Sequence, residues 1–392
     1  MRATDEPVVI AGGGIGGLSA ALALAKQGIP THVLERRPQF SEAGAGIQLG
    51  PNATRLLRAI GVAEALEPSV ARPDALSVHD GVSGSDLARF PLGAWIAHRH
   101  GAPYWTVHRQ DLHAALLDTA RNDPLIKIET GAAVTGFVDD ESGIAVAAAG
   151  GRTLHGRALI AADGLWSNLR TQITATGPLE PAGKCAYRGV IERAQMPAGL
   201  SADDVHIWLS PGAHVVHYPV RAGREVALVA VLDDPTTGNS WSLEAPQSWV
   251  RDRAGHYPAQ LKAVLSAVGE WRMWSLQKPS PVTPWVKGKA AVLGDAAHPI
   301  FPFLAQGGVL AIEDACTLAK CLARGEGDAA RQLQSYAHLR MPRAARVVEA
   351  SARNGRIYHL RGPMAFARNA VLRGAPGTQL MKTYDWLYGF RV

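Results

Sequence analysis

The sequence predicts an α/β protein in which a parallel-sheet domain is interrupted by an inserted mixed or antiparallel sheet and followed by C-terminal helices. Three observations predict this class. The chain starts with a short apolar strand, a glycine-rich turn, a small-residue helix and a second strand. Residues 180–235 contain several alternating apolar runs, and a helical pattern extends from 308 to about 373. A strand–helix–strand start followed by separate alternating strands is typical of a chain that builds two sheets.

The N-terminal segment is the first predicted unit. Residues 7–11, PVVIA, form a short apolar strand, and GGGIGGLSAALALAKQG continues as a turn and a helix that ends at Gly28. THVLER is the second strand. A crossover helix returns the chain to the same end of the sheet, so the two strands are predicted to be parallel. Residues 53–66 are predicted to be helical.

The middle of the chain is predicted to mix short strands with one helix. Residues 75–107 contain short strand-like pieces separated by turns, and residues 109–122 form a helix with an apolar stripe. IKIET, AVTGFV and GIAVAAA follow as strands with hairpin turns. ALIAADG, residues 158–164, is a fully apolar strand that ends at an Asp-Gly turn, which is typical of a buried parallel strand.

The second sheet is predicted from four alternating runs, which are CAYRGVIE, VHIWLS, HVVHYPV and EVALVAVL. Their period of two and short spacing favour antiparallel pairing in a domain inserted into the first. Residues 244–268 are predicted to be helical. Residues 290–296, AAVLGDA, return to the apolar strand type of the first domain, and helices are predicted from there to the C-terminal part.

Composition narrows the class of function. The chain has 392 residues, of which 47% are hydrophobic, and this is ample for a large core. The net charge of +6 is concentrated in residues 331–373, which hold nine arginines and one acid, Glu349. One basic helical region without a series of aromatic platforms predicts a solvated or ion-paired face, or a contact between subunits, and does not predict nucleic-acid binding.

The cysteines and the N-terminus predict a cytoplasmic protein without a metal. Cys185, Cys316 and Cys321 have neither the spacing of a metal site nor that of a disulfide framework. Cys316 and Cys321 are expected to pack in the core. The start MRATDEPVVI lacks the pattern of a signal peptide. Apolar runs stay below 18 residues without glycine or charge, so no membrane span is expected.

The glycine-rich turn has the spacing of a dinucleotide-binding motif. Gly12 permits a tight turn, Gly14 lets the backbone approach a pyrophosphate, and Gly17 lets helix and strand pack closely. The N-terminus of the helix favours the phosphate charge. Glu35 ends the second strand and is placed for ribose hydroxyls. Arg36 has two open interpretations, a phosphate contact or plain surface charge, and the motif alone does not separate FAD from NAD.

Two further strand ends carry an acid. Asp163 ends the strand ALIAADG, and Asp295 ends AAVLGDA before a proline loop and a glycine-opened helix. The ordered set GGGIGGLSAALALAKQG…VLER, ALIAADGLWSNLR and VLGDAAHPIFPFLAQGGVLAIEDA resembles the single-component FAD-dependent aromatic hydroxylases, flavoprotein monooxygenases of the p-hydroxybenzoate hydroxylase fold. GAGIQLGPNATRLL and YDWLYG resemble the branch of 3-hydroxybenzoate 6-hydroxylase and salicylate hydroxylase most closely. The resemblance covers nearly the whole chain and implies a Rossmann-like FAD domain.

The resemblance implies a set of FAD contacts. Asp295 is expected on the ribityl chain, Arg109 on the pyrophosphate, and Gln48 in a loop beside the flavin. Asp163 is expected to serve both FAD and the pyridine nucleotide. The backbone N–H groups of the glycine-opened helix are expected at the N1–C2=O edge of the isoalloxazine, where a positive helix end stabilises an anionic reduced flavin. The expected FAD-binding residues are Gly12, Gly14, Ile15, Gly17, Glu35, Arg36, Gln48, Arg109, Asp163, Asp295, Gly307, Gly308 and Val309.

Fewer sequence features indicate the substrate pocket than indicate the FAD site. In HVVHYPV, a strand puts His214 and Tyr218 on one face and His217 on the other. His214, Tyr218 and Gln306 match substrate-site positions of the 3-hydroxybenzoate 6-hydroxylase branch, and Asp74 is a further acid expected near that site. An ordinary half-buried strand for His214 and Tyr218, and a turn for Asp74, are the alternative interpretations.

The resemblance implies an NAD(P)H-consuming FAD monooxygenase of aromatic catabolism. Its expected reaction is hydroxylation of a small phenolic acid with O2, converting 3-hydroxybenzoate to 2,5-dihydroxybenzoate, with NADH or NADPH as a transient co-substrate. Salicylate 1-hydroxylation and 6-hydroxynicotinate 3-hydroxylation are alternatives. Another reaction on the same fold, such as halogenation, and a flavin-binding sensor without catalysis are more distant ones. A homodimer is a further expectation.

The sequence predicts a discontinuous domain arrangement. The FAD-binding domain is expected to comprise residues 1–74, 99–178 and 275–340. The substrate-binding domain is expected to comprise 75–98 and 179–274, and a C-terminal helical region to comprise 341–392.

Overall fold

The computed structural model gives the fold of most of the chain. The described residues are 6–40, 46–140, 143–174, 176–234, 241–248, 256–278, 284–324 and 328–392. Strands and helices are numbered in chain order. The strands are β1 Val8–Ala11, β2 Thr31–Glu35, β3 Gly46–Leu49, β4 Ala75–Asp80, β5 Asp86–Pro91, β6 Trp105–His108, β7 Ile126–Thr130, β8 Val134–Asp140, β9 Gly143–Ala148, β10 Arg152–Gly156, β11 Ala158–Ala161, β12 Pro181–Glu192, β13 Val205–Ser210, β14 Ala213–Val220, β15 Glu225–Asp233, β16 Trp241–Ala245, β17 Trp271–Gln277, β18 Val286–Lys287 and β19 Ala290–Val292.

The helices surround these strands. They are α1 Ile15–Ala25, α2 Pro51–Ala59, α3 Ala63–Leu66, α4 Gly93–His100, α5 Arg109–Arg121, α6 Asn168–Ile173, α7 Ala259–Ala267, α8 Gly307–Ala323, α9 Ala329–Tyr358, α10 Gly362–Gly374, α11 Gly377–Lys382 and α12 Asp385–Tyr388. Within the described ranges, none of the helices is both long and apolar enough to span a bilayer.

The first of the two large sheets is mainly parallel. Its strands lie in the order β18-β19-β11-β1-β2-β7, and β1 is parallel to both β2 and β11. Every residue of β1 and β11 is buried, which explains their uninterrupted apolar sequences. The helix α1 consists mainly of glycine, alanine and leucine and packs against α8, since a Cβ at Gly16 would lie 3.3 Å from that of Ala311. The strand–helix–strand prediction is confirmed.

The second sheet has the order β16-β17-β12-β15-β14-β13-β4-β5. Most neighbours are antiparallel, but β4 pairs with β13 in parallel, so the sheet is mixed. Small sheets of β10-β9-β8 and β3-β6 complete the strand pairing. The first sheet takes its strands from residues 8–35, 126–161 and 286–292, and the second from residues 75–91 and 181–277. The predicted domain boundaries stay a prediction.

The structure corrects three predicted elements. Residues 93–100, placed among strand-like pieces, form the helix α4, because Leu92 and Ile96 give it a buried apolar face. The helix predicted over 53–66 is two helices, interrupted where Gly61 adopts a φ of +81°. Of the helix predicted over 244–268, residues 247–248 and the helix α7 from Ala259 are helical. Its predicted first residues belong to β16, where pairing with β17 outweighs the local helical pattern, and residues 249–255 lie outside the described part.

The cysteine prediction is confirmed for packing. Cys316 and Cys321 are buried in α8, and burial raises the pKa of Cys316 to about 12. A thiol with so high a pKa stays protonated at neutral pH and is a poor nucleophile. Both cysteines are therefore packing residues.

Candidate active site

The carboxyl ends of the parallel strands meet at one edge of the first sheet. Gly12 follows β1, Glu35 ends β2, Asp163 follows β11 and Asp295 follows β19. All four residues line one large cavity. This edge is the usual ligand position in open α/β sheets, because strands that run in the same direction end together. Parallel pairing therefore unites three motifs that are spread over about 280 residues of sequence.

The glycine turn has the geometry that its spacing predicts. Gly12 has a φ of +108°, and a Cβ there would lie 2.4 Å from the carbonyl oxygen of Ala162. A Cβ at Gly17 would lie 1.9 Å from the carbonyl oxygen of Gly12. At Gly14, by contrast, a Cβ would meet nothing within 4 Å among the described residues. The turn is thus closed on its protein side at Gly12 and Gly17 and leaves open space for a ligand at Gly14.

Glu35 braces this turn and also lines the cavity. One carboxylate oxygen accepts the backbone N–H of Gly13 at 2.8 Å, and the other accepts the N–H of Arg37 at 3.0 Å. Each oxygen keeps a second acceptor position, so the predicted ribose contact is compatible with both bonds. Arg36 is exposed at the cavity edge. Its two interpretations, phosphate contact and surface charge, both fit that position.

The buried carboxylate of Asp163 has an oxygen that lacks a hydrogen-bond partner within the described residues. This oxygen is Oδ1, and Oδ2 accepts a long 3.5 Å bond from the N–H of Leu169. Burial raises the pKa of this carboxyl group above its usual value. A buried acceptor without a partner is costly, so a ligand that donates a hydroxyl group would satisfy it.

The third strand end brings Asp295 beside the start of α8. Asp295 is exposed on its turn and lines the cavity together with Gly307 and Gly308. A Cβ at Gly307 would lie 3.9 Å from Oδ1 of Asp295. The first N–H groups of a helix have no acceptor within it, so α8 presents donors and a partial positive charge here. Val309 is buried; its side chain belongs to the core, and its N–H lies in this first turn.

The remaining predicted cofactor contacts lie in or beside the same cavity. Arg109, the first residue of α5, and Gln48 in β3 both line it. The hydroxyl group of Tyr104 donates to Oε1 of Gln48 at 2.6 Å, which fixes the amide. Ile15 is buried and is the first residue of α1, so its backbone, and not its side chain, is placed for the predicted contact.

The opposite wall of the cavity comes from the second sheet. His214, Val216 and Tyr218 of β14 line the cavity, whereas Val215 packs in the core on the other face. The alternation predicted for this strand is therefore present. Both His214 and Tyr218 are buried, and burial raises the pKa of Tyr218 to about 12 although Arg188 partly opposes the shift. Tyr218 is consequently a neutral hydrogen-bonding group at physiological pH.

Arg188 is a cavity residue that the sequence analysis did not single out. It lies on β12, its guanidinium carbon is 5.2 Å from the centre of the Trp274 ring, and its Nε has no hydrogen-bond partner among the described residues. Burial, and then the neighbouring Arg109, lower its pKa, but an arginine stays charged. Its signal in the sequence was a lone cation within the apolar run CAYRGVIE.

Two predicted substrate contacts do not line the cavity. The amide oxygen of Gln306 accepts a 3.0 Å hydrogen bond from Asn52, and the side chain is buried behind the start of α8. Asp74 is exposed at a turn next to Gly93. The geometry therefore favours a supporting role for Gln306 and the turn interpretation for Asp74.

A buried ionic cluster lies directly behind the site. Glu313 and Asp314 of α8 are fully buried and face α9. Arg340 forms ion pairs of 2.9 Å with Glu313 and 2.7 Å with Asp314, and Arg343 forms one of 2.9 Å with Glu313. The expectation that the basic region pairs with acids elsewhere is confirmed for these two arginines.

The same carboxylates hold the loops of the site. Asp314 accepts the backbone N–H of Gly294, next to Asp295, at 3.1 Å. Glu313 accepts from Asn52 at 2.8 Å, and Asn52 also binds Gln306. Glu313 and Asp314 thus connect the turn at Asp295 and the start of α8 to α9.

The chemical groups that line the cavity suit the binding of FAD. The open space at Gly14, the buried acceptor Asp163 and the N-terminus of α8 offer what a pyrophosphate, its hydroxyl-bearing chain and an electron-rich ring edge require.

Asp295→Ala is therefore expected to weaken FAD binding. A hydroxyl group that loses a charged acceptor forfeits about 1.5–3 kcal/mol, which corresponds to a roughly 10–150-fold higher Kd for FAD. Titration of the apoprotein with FAD, followed by flavin fluorescence, measures this. Asp203→Ala, at an exposed ion pair with Arg193, is the matched control and should bind FAD as the wild type does. An unchanged Kd for Asp295→Ala would show that Asp295 does not bind the hydroxyl groups of FAD.

Comparison with known proteins identifies the group to which the chain is related. A family model described as an FAD binding domain matches residues 5–351. The chain is 34% identical over 388 residues to a 3-hydroxybenzoate 6-hydroxylase of Polaromonas naphthalenivorans, covering 99% of this chain and 97% of that protein. It is 33% identical to a 3-amino-4-hydroxybenzoate 2-monooxygenase of Streptomyces platensis, covering 98% and 96%.

A solved structure agrees in fold. Klebsiella pneumoniae HpxO, complexed with FAD and uric acid, superposes with a TM-score of 0.86 at 25% identity, covering 99% of this chain and 98% of that one. The predicted fold class and the predicted family are thereby confirmed. FAD is the cofactor, and NADH or NADPH is the co-substrate, as is typical for these hydroxylases. The chain belongs to the FAD binding domain family and is an FAD-dependent monooxygenase.

Proposed function

We propose that the protein hydroxylates a small phenolic acid, converting 3-hydroxybenzoate to 2,5-dihydroxybenzoate with O2 and NADH or NADPH. The observation that carries this proposal is the cavity itself. One wall offers the glycine turn and acids suited to FAD, and the other offers a cation, an imidazole and a phenol from the second sheet. The related hydroxylases act, by their names, on hydroxybenzoates, and this supports the choice of substrate.

Arg188 is the proposed anchor for the carboxylate. It is charged, partly desolvated and lacks an acceptor at Nε among the described residues, so an anion in the cavity would gain a charge-assisted hydrogen bond. Trp274 supports the guanidinium through a cation–π contact. A ring that carries a carboxylate would thus be oriented by one of its ends.

His214 is the proposed base for the phenol. Its Nδ1 binds His359 at 2.8 Å, so its Nε2 is the nitrogen left for a substrate hydroxyl group. Removal of the phenolic proton raises the electron density of the ring at the position para to the oxygen, and an electrophilic oxygen atom is transferred most readily there. Tyr218, a neutral donor on the same strand face, would hold a further oxygen of the substrate.

The apolar part of the cavity is proposed to exclude water. Ile300, Phe301 and Pro302 of the proline loop line it, together with Val216 and Val229 of the second sheet. FAD, when bound and reduced, supplies the activation of O2, and the protein orients the ring and keeps the site dry. Poor exclusion of water would divert reducing equivalents to hydrogen peroxide.

Arg188→Met is expected to raise the KM for the acid selectively. Loss of one charged hydrogen bond costs about 1.5–3 kcal/mol, or a roughly 10–150-fold change. Oxidation of NADH with 3-hydroxybenzoate and with 3-methylphenol, which lacks the carboxylate, measures the effect. Arg193→Met, an exposed arginine just after β12, is the control. If both compounds were affected equally, Arg188 would not be the carboxylate anchor.

A substrate panel tests the proposed function. FAD-loaded protein is assayed for NADH and NADPH oxidation with 3-hydroxybenzoate, salicylate and 6-hydroxynicotinate. Stimulation by 3-hydroxybenzoate with formation of 2,5-dihydroxybenzoate supports the proposal. Stimulation by salicylate or 6-hydroxynicotinate alone would keep the class of enzyme and overturn the substrate.

The expected homodimer and cytoplasmic location stay predictions. Met364, Phe366 and Val371 of α10 are exposed apolar side chains that a second copy would cover. The three cysteines are buried and are not joined in disulfide bonds, which suits a reducing compartment.

A further inference from the structure

A chain of hydrogen bonds connects the cavity to the protein surface through two histidines and an aspartate. We propose that His359 and Asp233 form a proton relay that holds His214 in its basic tautomer and carries the substrate proton outward. The inference rests on the proposed function, in which His214 accepts a phenolic proton. It assigns roles to two residues far from the flavin motifs, one at the end of α9 and one at the end of β15.

The geometry of the chain is continuous. Nδ1 of His214 lies 2.8 Å from Nε2 of His359, and Nδ1 of His359 lies 3.0 Å from Oδ1 of Asp233. The imidazoles of His214 and His359 are buried, whereas the carboxylate of Asp233 is 35% exposed. His214 lines the cavity. The three side chains therefore span the wall from the cavity to solvent.

The carboxylate determines the direction of every hydrogen bond in the chain. An ionised Asp233 can only accept, so Nδ1 of His359 carries the hydrogen. Nε2 of the neutral His359 then accepts from Nδ1–H of His214, and the lone pair of His214 is left on Nε2. This is the tautomer that a general base in the cavity needs. A partly exposed aspartate thus controls a buried base through one intervening ring.

The relay also removes positive charge from the buried imidazole of His214. Burial, and then the neighbouring His359 and Lys184, hold the pKa of His214 well below its usual value, so a lasting imidazolium at His214 is unfavourable. When Nε2 takes the phenolic proton, the proton on Nδ1 passes to Nε2 of His359. The positive charge then rests on His359 beside an anionic carboxylate, and no charge stays on His214. Asp233 can exchange the proton with water.

The charged groups around the relay are compatible with this transfer. Burial opposes ionisation of Asp233, but hydrogen bonds from His359 and Lys184 outweigh it and lower the pKa of Asp233 to about 2. Lys184 and Arg361, whose Nη2 lies 3.6 Å from Oδ2, keep the carboxylate anionic. The uncharged rings of Phe303 and Tyr358 cover His214.

The outer face of the same sheet provides a matched control. Asp86 binds Nδ1 of His79 at 2.8 Å, and Nε2 of His79 binds Nδ1 of His206 at 2.8 Å. This Asp–His–His chain has the same connectivity as the relay, but its members do not line the cavity. A substitution there tests whether any change in such a chain affects the enzyme.

The experiment compares Asp233→Asn and His359→Gln with Asp86→Asn, all loaded with FAD. The first readout is the ultraviolet difference spectrum of bound 3-hydroxybenzoate without NAD(P)H, which reports the fraction of phenolate across pH. The second is kcat and KM. Both relay variants should bind the substrate as the neutral phenol to higher pH and should lower kcat by about 10–100-fold, the cost known for losing the carboxylate partner of a metal-bound histidine, with KM little changed.

The outcomes separate the relay from the proposed function. Asp86→Asn should match the wild type in both readouts. If the wild type is active but Asp233→Asn, which keeps its shape, matches Asp86→Asn in phenolate fraction and kcat, the relay is wrong and the proposed function stands. If the wild type shows no stimulation by any phenolic acid, the proposed function is wrong and the relay falls with it.

Discussion

His214→Ala is expected to keep FAD but to lower the rate of coupled hydroxylation by roughly 10²–10⁴-fold, the range for removal of an acid–base group. The imidazole lies on the cavity wall built by the second sheet, whereas the FAD-binding residues lie on the other wall, so cofactor content should not change. NADH should still be consumed, with more of it ending as hydrogen peroxide. Product yield per NADH, measured beside flavin absorbance, separates these effects.

His217→Phe is the control for His214→Ala. His217 lies three residues after His214, on the opposite face of β14, and the centre of its ring is 4.6 Å from that of His206. An aromatic replacement keeps the stacking and should leave product yield unchanged. If His214→Ala also left rate and yield intact, His214 would be an ordinary strand residue and the proposed base would be wrong.

Arg340→Met is expected to lower the free energy of unfolding by about 3–5 kcal/mol, the cost of removing one partner of a buried ion pair. Asp314 and Glu313 would lose their shared cation in a site without water access. Burial opposes ionisation of Asp314, but His298 and Arg340 outweigh it and lower the pKa of Asp314 to about 2, so the substitution removes one of the two groups that stabilise this buried carboxylate. Urea unfolding of the FAD-loaded protein measures the loss.

Arg353→Met is the matched control for Arg340→Met. It removes the same charge from the exposed side of the same helix, where surface substitutions usually stay within about 0.5 kcal/mol. Arg340→Met should also weaken FAD binding, because Asp314 holds the backbone of Gly294 beside the site. Equal stability of the two variants would contradict the role given to the buried cluster.

The sequence predicts the FAD side of the site well because local patterns specify it. The strand ends at Gly12, Asp163 and Asp295 follow apolar runs, and parallel strands of one sheet end at a common edge. Close packing then explains the glycines, as the 1.9 Å approach at Gly17 shows. Each motif directly follows an apolar run, and the sequence alone is enough to locate these runs.

The substrate side could be predicted only in part because long-range contacts determine it. Alternation in β14 places His214 and Tyr218 on one face, but nothing local connects His214 to His359, 145 residues away. Arg188 required the pairing of β12 with β15 to reach the cavity. Gln306 binds Asn52, 254 residues away, and turns from the cavity for that reason. Tertiary pairing outweighs sequence pattern at each of these positions.

The most direct test of the account is the amount of 2,5-dihydroxybenzoate formed per NADH or NADPH oxidised when the FAD-loaded protein is given 3-hydroxybenzoate in air. We expect the phenolic acid to accelerate oxidation of the nicotinamide and the 2,5-dihydroxy product to appear in near-stoichiometric amount. Oxidation that no phenolic acid accelerates, or that ends wholly as hydrogen peroxide, would contradict it.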